Sequence, residues 1–255
     1  MLEYSKLIIE AEKAINWIKE FVESSGAEGV VVGNSGGKDS ATVIAMATRA
    51  LGKDKVLTIA MPCNSIKEDL EDAKLVSMTF DVPLLEIDLS DSYNTFERTI
   101  NNSLKGIDKE LVNEAKVNSK PRFRMTTLYS VAQSMNYLVI GTGNLCEQMV
   151  GYTTKWGDNA SDFNPIGNFT VREVLAIGKY LGVPDRIINK APSDGLGSKT
   201  DEEKMGVTYD QIEEYIETGK TSEEAMLVIE RKNRVSKHKR CLVPKYTFDR
   251  VNYLS

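Results

Sequence analysis

Apolar residues recur along this chain at two periods, and the switching between them predicts its layout. Over residues 3–24, Leu7, Ile8, Ala11, Ala14, Ile15, Ile18 and Val22 fall at helical spacing and predict an amphipathic helix. Residues 30–32 are three valines, the continuous β-branched run of a strand buried on both faces. That run breaks into Gly33, Asn34, Ser35, Gly36, Gly37, Lys38, Asp39 and Ser40, and an apolar-periodic helix follows over 41–51. The rhythm continues with strand 56–61 closed by Pro62, helix 66–80, strand 84–89 and helix 90–103. A weaker helical stretch over 108–117, a helix over 120–135 and a strand over 137–140 come next. Helices over 170–181, 208–217 and 221–236 each open on a capping box, a hydroxyl residue followed three places later by Glu or Gln. Residues 152–165 and 191–204 carry no clean period. Long irregular segments inside a domain are functional or disordered, and Trp156 and Phe163 favour order in the first. Strands joined by helical crossovers predict an α/β fold, a parallel sheet with helices on both faces. The ligand of such a sheet sits at the carboxyl ends of its strands, where Gly33 lies.

Composition narrows the function. A chain of 255 residues without repeat, low-complexity segment or linker fits one domain. Its net charge of −5 leaves no basic footprint for nucleic acid. No apolar run approaches the ~20 residues of a membrane span, and Glu3 and Glu10 interrupt the start where a signal peptide would be apolar. Three widely spaced cysteines, Cys63, Cys146 and Cys241, point to free thiols in a reducing cytoplasm, with neither disulfides nor a zinc site.

The chemistry concentrates in residues 33–40. Adjacent glycines let successive backbone N–H groups turn inward as an anion-binding nest, and the helix that follows adds its positive end. Asp39 or Ser40 can cap that helix. The loop is not a Walker A motif, because Asp39 rather than Ser or Thr follows Lys38. It lacks the spaced glycines of the dinucleotide fingerprint as well. It resembles the Ser-Gly-Gly-X-Asp-Ser pyrophosphate loop of enzymes that split ATP into AMP and pyrophosphate, with Ser35, Gly36, Gly37, Asp39 and Ser40 in register.

Further stretches follow in one order: residues 122–125, Gly141 and Thr142 with Glu147, residues 152–158, Asp162, Pro192 and Ser193, Asp201 and Glu202, Gly206, residues 208–210 and residues 238–240. Together with the loop they resemble the ammonia-dependent NAD synthetase family over essentially the whole chain. That resemblance implies a Rossmann-like fold of the adenine nucleotide alpha hydrolase type, a single domain over 1–255, and no glutaminase domain. It implies that ammonia is joined to the nicotinate carboxylate of deamido-NAD, with ATP as co-substrate and Mg²⁺, through an adenylated intermediate. Gly33, Asn34, Ser35, Gly36, Gly37, Lys38, Asp39, Ser40, Thr142 and Ser193 are then the ATP residues. Arg122, Lys155, Asp162, His238 and Lys239 are the deamido-NAD residues. Asp39 and Glu147 are the metal carboxylates, since magnesium takes hard oxygen ligands and needs only one or two carboxylates beside phosphate. Asp158 is a candidate to attract ammonium and take its proton. Each choice has a plainer counterpart: a helix cap for Asp39, a first-turn acid for Glu147, an Asx turn for Asp158, a solvated helix start for Arg122.

The chain departs from the family pattern in places. Lys38 stands where bacterial members usually have glutamine. An ATP contact is expected at position 171, where many members have lysine and this chain has Val171; Arg172 can substitute. Another ATP pyrophosphatase, amidating like a GMP synthetase or thiolating RNA, would share the loop, and a non-catalytic nucleotide sensor would keep the fold. The apolar faces of the opening helix and of residues 120–137, together with the resemblance, predict a homodimer with the dinucleotide site near the interface.

Overall fold

A computed structural model describes residues 2–64, 67–190 and 200–247. The chain opens on α1 (Tyr4–Ser25), whose buried residues Leu7, Ala11, Ile15, Ile18 and Val22 form one stripe, and Gly26 in the left-handed region ends it. Then come β1 (Gly29–Gly33), α2 (Lys38–Leu51), β2 (Val56–Ala60), α3 (Lys67–Thr79), β3 (Leu84–Glu86) and α4 (Ser90–Lys105). The long α5 (Asn113–Met135), β4 (Tyr137–Val139) and α6 (Leu145–Val150) follow. The chain continues through α7 (Val171–Tyr180), α8 (Asp185–Ile188), α9 (Asp201–Met205), α10 (Tyr209–Thr218) and α11 (Glu223–Val235).

Among the described residues the strands form one four-stranded parallel sheet in the order β3-β2-β1-β4. The α/β expectation is borne out, and the sheet's faces follow from strand pleat. Val30 and Val32 point into one core with α1, α2 and α7. Val31 points into the other, with Leu57, Ile59 and Val139 against Met125 and Leu128 of α5. A third cluster joins α6, α9, α10 and α11 through Cys146, Val150, Met205, Ile212 and Ile229. The strands are added outward from β1 on one side as β2 and β3 and then on the other as β4, and this reversal of strand order is the switch point at which an α/β sheet opens a crevice.

Several boundaries differ from the sequence reading. The two helical stretches expected around residues 108–135 are one helix, running through Pro121. A proline is favoured at a helix start, but here it lies inside the helix and is buried. β3 holds three residues rather than six, although the chain stays beside β2 a little further, the Ile87 and Leu89 amides donating to Ala60 O at 2.9 Å and Pro62 O at 2.8 Å. The last helix is capped by Ser222 rather than Thr221, so its expected capping box is absent. Two boxes not foreseen, Asn144 with Glu147 and Thr200 with Glu203, are formed. The packing also buries Met125 and Leu128 within one chain, so less apolar surface is left over for pairing than the sequence suggested.

Candidate functional site

A cleft of about 330 Å³ opens at the carboxyl ends of β1 and β4, floored by Gly33 and by Ile140 and Gly141. Its phosphate side is the loop after β1. Helix α2 starts at Lys38 with Gly37 as N-cap and no side-chain cap. Asp39 and Ser40 thus lie inside its first turn, which corrects their expected role as caps. Gly36 has φ 71°, and a Cβ there would meet Asp69 O at 2.6 Å and the Asp72 Cβ at 2.7 Å. The loop is pressed so closely on α3 that only glycine fits. The Gly36 and Gly37 amides donate to Asn34 Oδ1 at 3.1 Å and Ser35 Oγ at 3.2 Å. Ser35 and Ser40 hydroxyls are 3.0 Å apart. The loop's own side chains therefore take up the Gly36 and Gly37 amides. Asn34 ties the loop to α3, its Nδ2 donating to Ala73 O at 2.9 Å and Ser77 Oγ at 3.0 Å.

The two carboxylates proposed for a metal meet here. Asp39 Oδ2 accepts from Lys38 Nζ at 2.9 Å, and Asp39 Oδ1 from Asn144 Nδ2 at 3.3 Å. Asn144 is also the N-cap of α6; its Oδ1 accepts from the Glu147 amide at 3.0 Å while its own amide donates to Glu147 Oε2 at 3.1 Å. One asparagine thus ties both acids together. Burial, and then the charge of Asp39, push the Glu147 carboxyl up to about 8, against the pull of Lys38. Two hard carboxylates whose charges crowd each other fit a magnesium ion. Among the described residues no group of three or more His, Cys, Asp or Glu could hold a metal. Magnesium here would take its remaining ligands from phosphate and water.

The opposite rim is the segment over residues 152–159, which its own side chains order. The Thr154 amide donates to Asp158 Oδ1 at 2.7 Å and the Trp156 amide to Asn159 Oδ1 at 2.9 Å. Asp158 lines the cleft, and crowding by protein raises its pKa, against the hydrogen bond from Thr154 and the charge of Lys239. Arg122 donates from Nε to Lys155 O at 3.1 Å, and Lys155 Nζ stands 5.3 Å from the Trp156 ring centroid. Lys239 reaches the same segment, donating to Gly151 O at 2.8 Å and Thr153 O at 2.5 Å. Arg122 and Lys239, distant in sequence, therefore converge on the segment that carries Lys155 and Asp158; of these four only Asp158 lines the cleft itself.

The remaining candidates are scattered. Thr142 lines the cleft. Asp162 braces the sheet, accepting from the Val139 amide at 2.7 Å and from Tyr129 Oη at 3.3 Å. His238 lies exposed on the 3₁₀ turn Lys237–Lys239. Val171 is buried in the third core cluster, and Arg172 is held by Glu213 rather than turned into the cleft. Ser193 lies outside the described residues. Four charged lining residues had no role assigned from sequence: Asp69, Arg124, Lys190 and Asp201. Arg124 donates to Met61 O at 3.1 Å, and Lys190 pairs with Asp69 at 2.9 Å and Asp72 at 2.6 Å. Asp201 accepts from Tyr152 Oη at 3.1 Å. Arg124 and Asp201 fall within stretches that carry the family resemblance, whereas Lys190 stands just before the irregular segment at 191–204 and Asp69 inside a helix, where no sequence signal marks them.

A family model described as NAD synthase matches residues 10–250. Among curated proteins the chain is similar to the NH(3)-dependent NAD(+) synthetase of Carboxydothermus hydrogenoformans, 43% identical over 91% of this chain and 94% of that protein. Among solved structures it is similar to NMN synthetase from Francisella tularensis, with TM-score 0.87 and 33% identity over 97% of this chain and 100% of that one. It is also similar to NH3-dependent NAD synthetase from Campylobacter jejuni in complex with the nitrate ion, with TM-score 0.78 and 28% identity over 97% and 100% of the two chains.

Proposed function

The chain belongs to the NAD synthase family, and we propose from this premise that it amidates the nicotinate carboxylate of deamido-NAD with ammonia, converting ATP to AMP and pyrophosphate. The observation that carries the site assignment is the meeting of Asp39 and Glu147 beside the glycine loop, at the sheet's switch point. A carboxylate is a poor acceptor for an amine because its leaving group would be oxide. Attack of a carboxylate oxygen on the α-phosphorus of ATP breaks the bond to the bridging oxygen and releases pyrophosphate. The resulting acyl adenylate has a good leaving group. Ammonia adds to its carbonyl carbon, the C–O bond to AMP breaks, and the amide remains.

Each cluster has a task in this sequence. Residues 35–40, with the positive end of α2, hold the departing pyrophosphate. Thr142 contacts ATP at the end of β4. Ser193 is assigned to ATP on the resemblance alone, and Val171 has no polar side chain to offer there. Magnesium held by Asp39 and Glu147 would supply positive charge against the triphosphate when bound. Arg122, Lys155, His238 and Lys239 present positive charge or donors to the dinucleotide, with Asp162 steadying the strand beside them. Asp158, on the cleft wall, draws ammonium and takes the proton that frees its lone pair.

The protein works as one domain over residues 1–255, as a homodimer with its site near the interface, in the cytoplasm. Exposed Ile107, Val112 and Met135 at and near α5 support pairing, and the free cysteines support a reducing compartment. No helix among the described residues is long and apolar enough to cross a membrane. The likeness to an NMN synthetase favours a second acceptor, the mononucleotide acid.

The test supplies purified protein with ATP, Mg²⁺ and ammonium, and with deamido-NAD or nicotinate mononucleotide in separate reactions. Equimolar AMP, pyrophosphate and NAD are expected from the dinucleotide, and no turnover with glutamine alone. Absence of acceptor-dependent pyrophosphate release overturns the reading, while turnover of the mononucleotide alone replaces the acceptor. Sedimentation at working concentration decides the dimer, and an active monomer refutes it.

A further inference from the structure

Lysine is almost never fully buried unless paired, yet the Lys38 side chain is only 9% exposed. Its ammonium lies 2.9 Å from Asp39 Oδ2 and feels the charges of Glu147 and Asp201 too. The ammonium stands 5.6 Å from the Tyr209 ring centroid. The Tyr209 hydroxyl is buried, has no hydrogen-bond partner among the described residues, and feels the same three carboxylates. Three acids therefore lie near one ammonium, whose single charge is taken up by the pair with Asp39. Such a site favours cations, and the lysine already holds one of the acids a metal would need.

We propose that Lys38 is a tethered counter-cation that competes with a divalent metal for Asp39, so that the metal enters with the nucleotide rather than ahead of it. The proposal rests on the reading of Asp39 and Glu147 as metal carboxylates. Magnesium gives up water reluctantly, and two carboxylates leave most of its coordination to be filled. Without nucleotide, a metal must displace an ammonium already fixed beside Asp39. With nucleotide, phosphate oxygens complete the metal's ligands, and the displaced ammonium finds the triphosphate beside it. Lys38 then serves as a positioning residue twice: it keeps the acids from repelling each other in the free protein and meets phosphate in the loaded one.

Manganese is the probe, followed by electron paramagnetic resonance as it binds the free protein without nucleotide. Lys38→Met and Lys38→Gln are each compared with the unsubstituted protein, and melting curves confirm that each is folded. Removal of the competitor is expected to tighten manganese binding by about tenfold or more, and Asp39→Asn added to Lys38→Met should abolish that gain. If both lysine variants bind manganese as the unsubstituted protein does, while Asp39→Asn weakens binding, the competition is wrong and the metal site stands. If Asp39→Asn leaves manganese binding unchanged in both backgrounds, the metal reading fails and the proposal with it.

Discussion

Asp72 holds the underside of the phosphate loop, and Asp72→Asn tests that support. The carboxylate lies on α3 with its side chain 1% exposed, 2.8 Å from Arg186 Nε and 2.6 Å from Lys190 Nζ. The contact with Arg186 is an ion pair without hydrogen-bond geometry, since Asp72 Oδ1 accepts no bond among the described residues. Lys190 also lines the cleft and pairs with Asp69 at 2.9 Å. Removing one partner of a wholly buried pair costs about 3–5 kcal/mol, whereas exposed pairs contribute about 0–1. Asp72 falls between, because Arg186 and Lys190 are 54% and 28% exposed and regain water when released. A loss of about 2 kcal/mol follows, and a domain of this size loses about 2–4 °C per kcal/mol. The expected fall in Tm is therefore about 4–8 °C. Because Gly36 packs on Asp72, the KM for ATP should rise as well. Thermal melts with and without nucleotide, and initial rates against ATP, measure both. A Tm within about one degree of the unsubstituted protein, with an unchanged KM for ATP, refutes the claim that this hub supports the loop.

Gly36→Ala should cost about 1–3 kcal/mol from the left-handed φ of 71° and the approach to Asp69 O; a normal Tm and normal ATP use would show that the loop tolerates a Cβ. Asp39→Asn and Glu147→Gln should each slow pyrophosphate release while the fold persists, and a normal adenylation rate across magnesium concentrations removes the metal role from that residue. Crowding raises the pKa of Asp158, so the folded state holds this proton more tightly than the unfolded one. Its stabilising contribution is present below ~4, the usual carboxylate range, and is lost as pH rises through the folded pKa. Asp158→Asn should accordingly gain in Tm relative to the unsubstituted protein as pH is raised from ~4 toward neutrality; parallel melting profiles would contradict this.

The residues themselves determine what depends on near neighbours. Three valines, a glycine loop and an apolar-periodic stretch are enough for β1, the turn and α2, because β-branching, freedom at φ and helical spacing act within a few residues. The capping boxes at Thr170 and Thr208 are legible for the same reason, and the ordered motifs from Ser35 to Lys239 make the family legible. Tertiary structure decided what needs distant partners. Pro121 lies buried inside α5, whereas its local chemistry alone marks a helix start. Placement of β4 beside β1 brings Glu147 to Asp39, and α8 carries Lys190 to the acids of α3. Whether Lys38 reaches water, phosphate or Asp39 could not be read from its neighbours, since a four-carbon stem permits all three. Packing around Tyr209 and the carboxylates of Glu147 and Asp201 chose among them, because a buried ammonium must lie where negative charge repays its lost hydration.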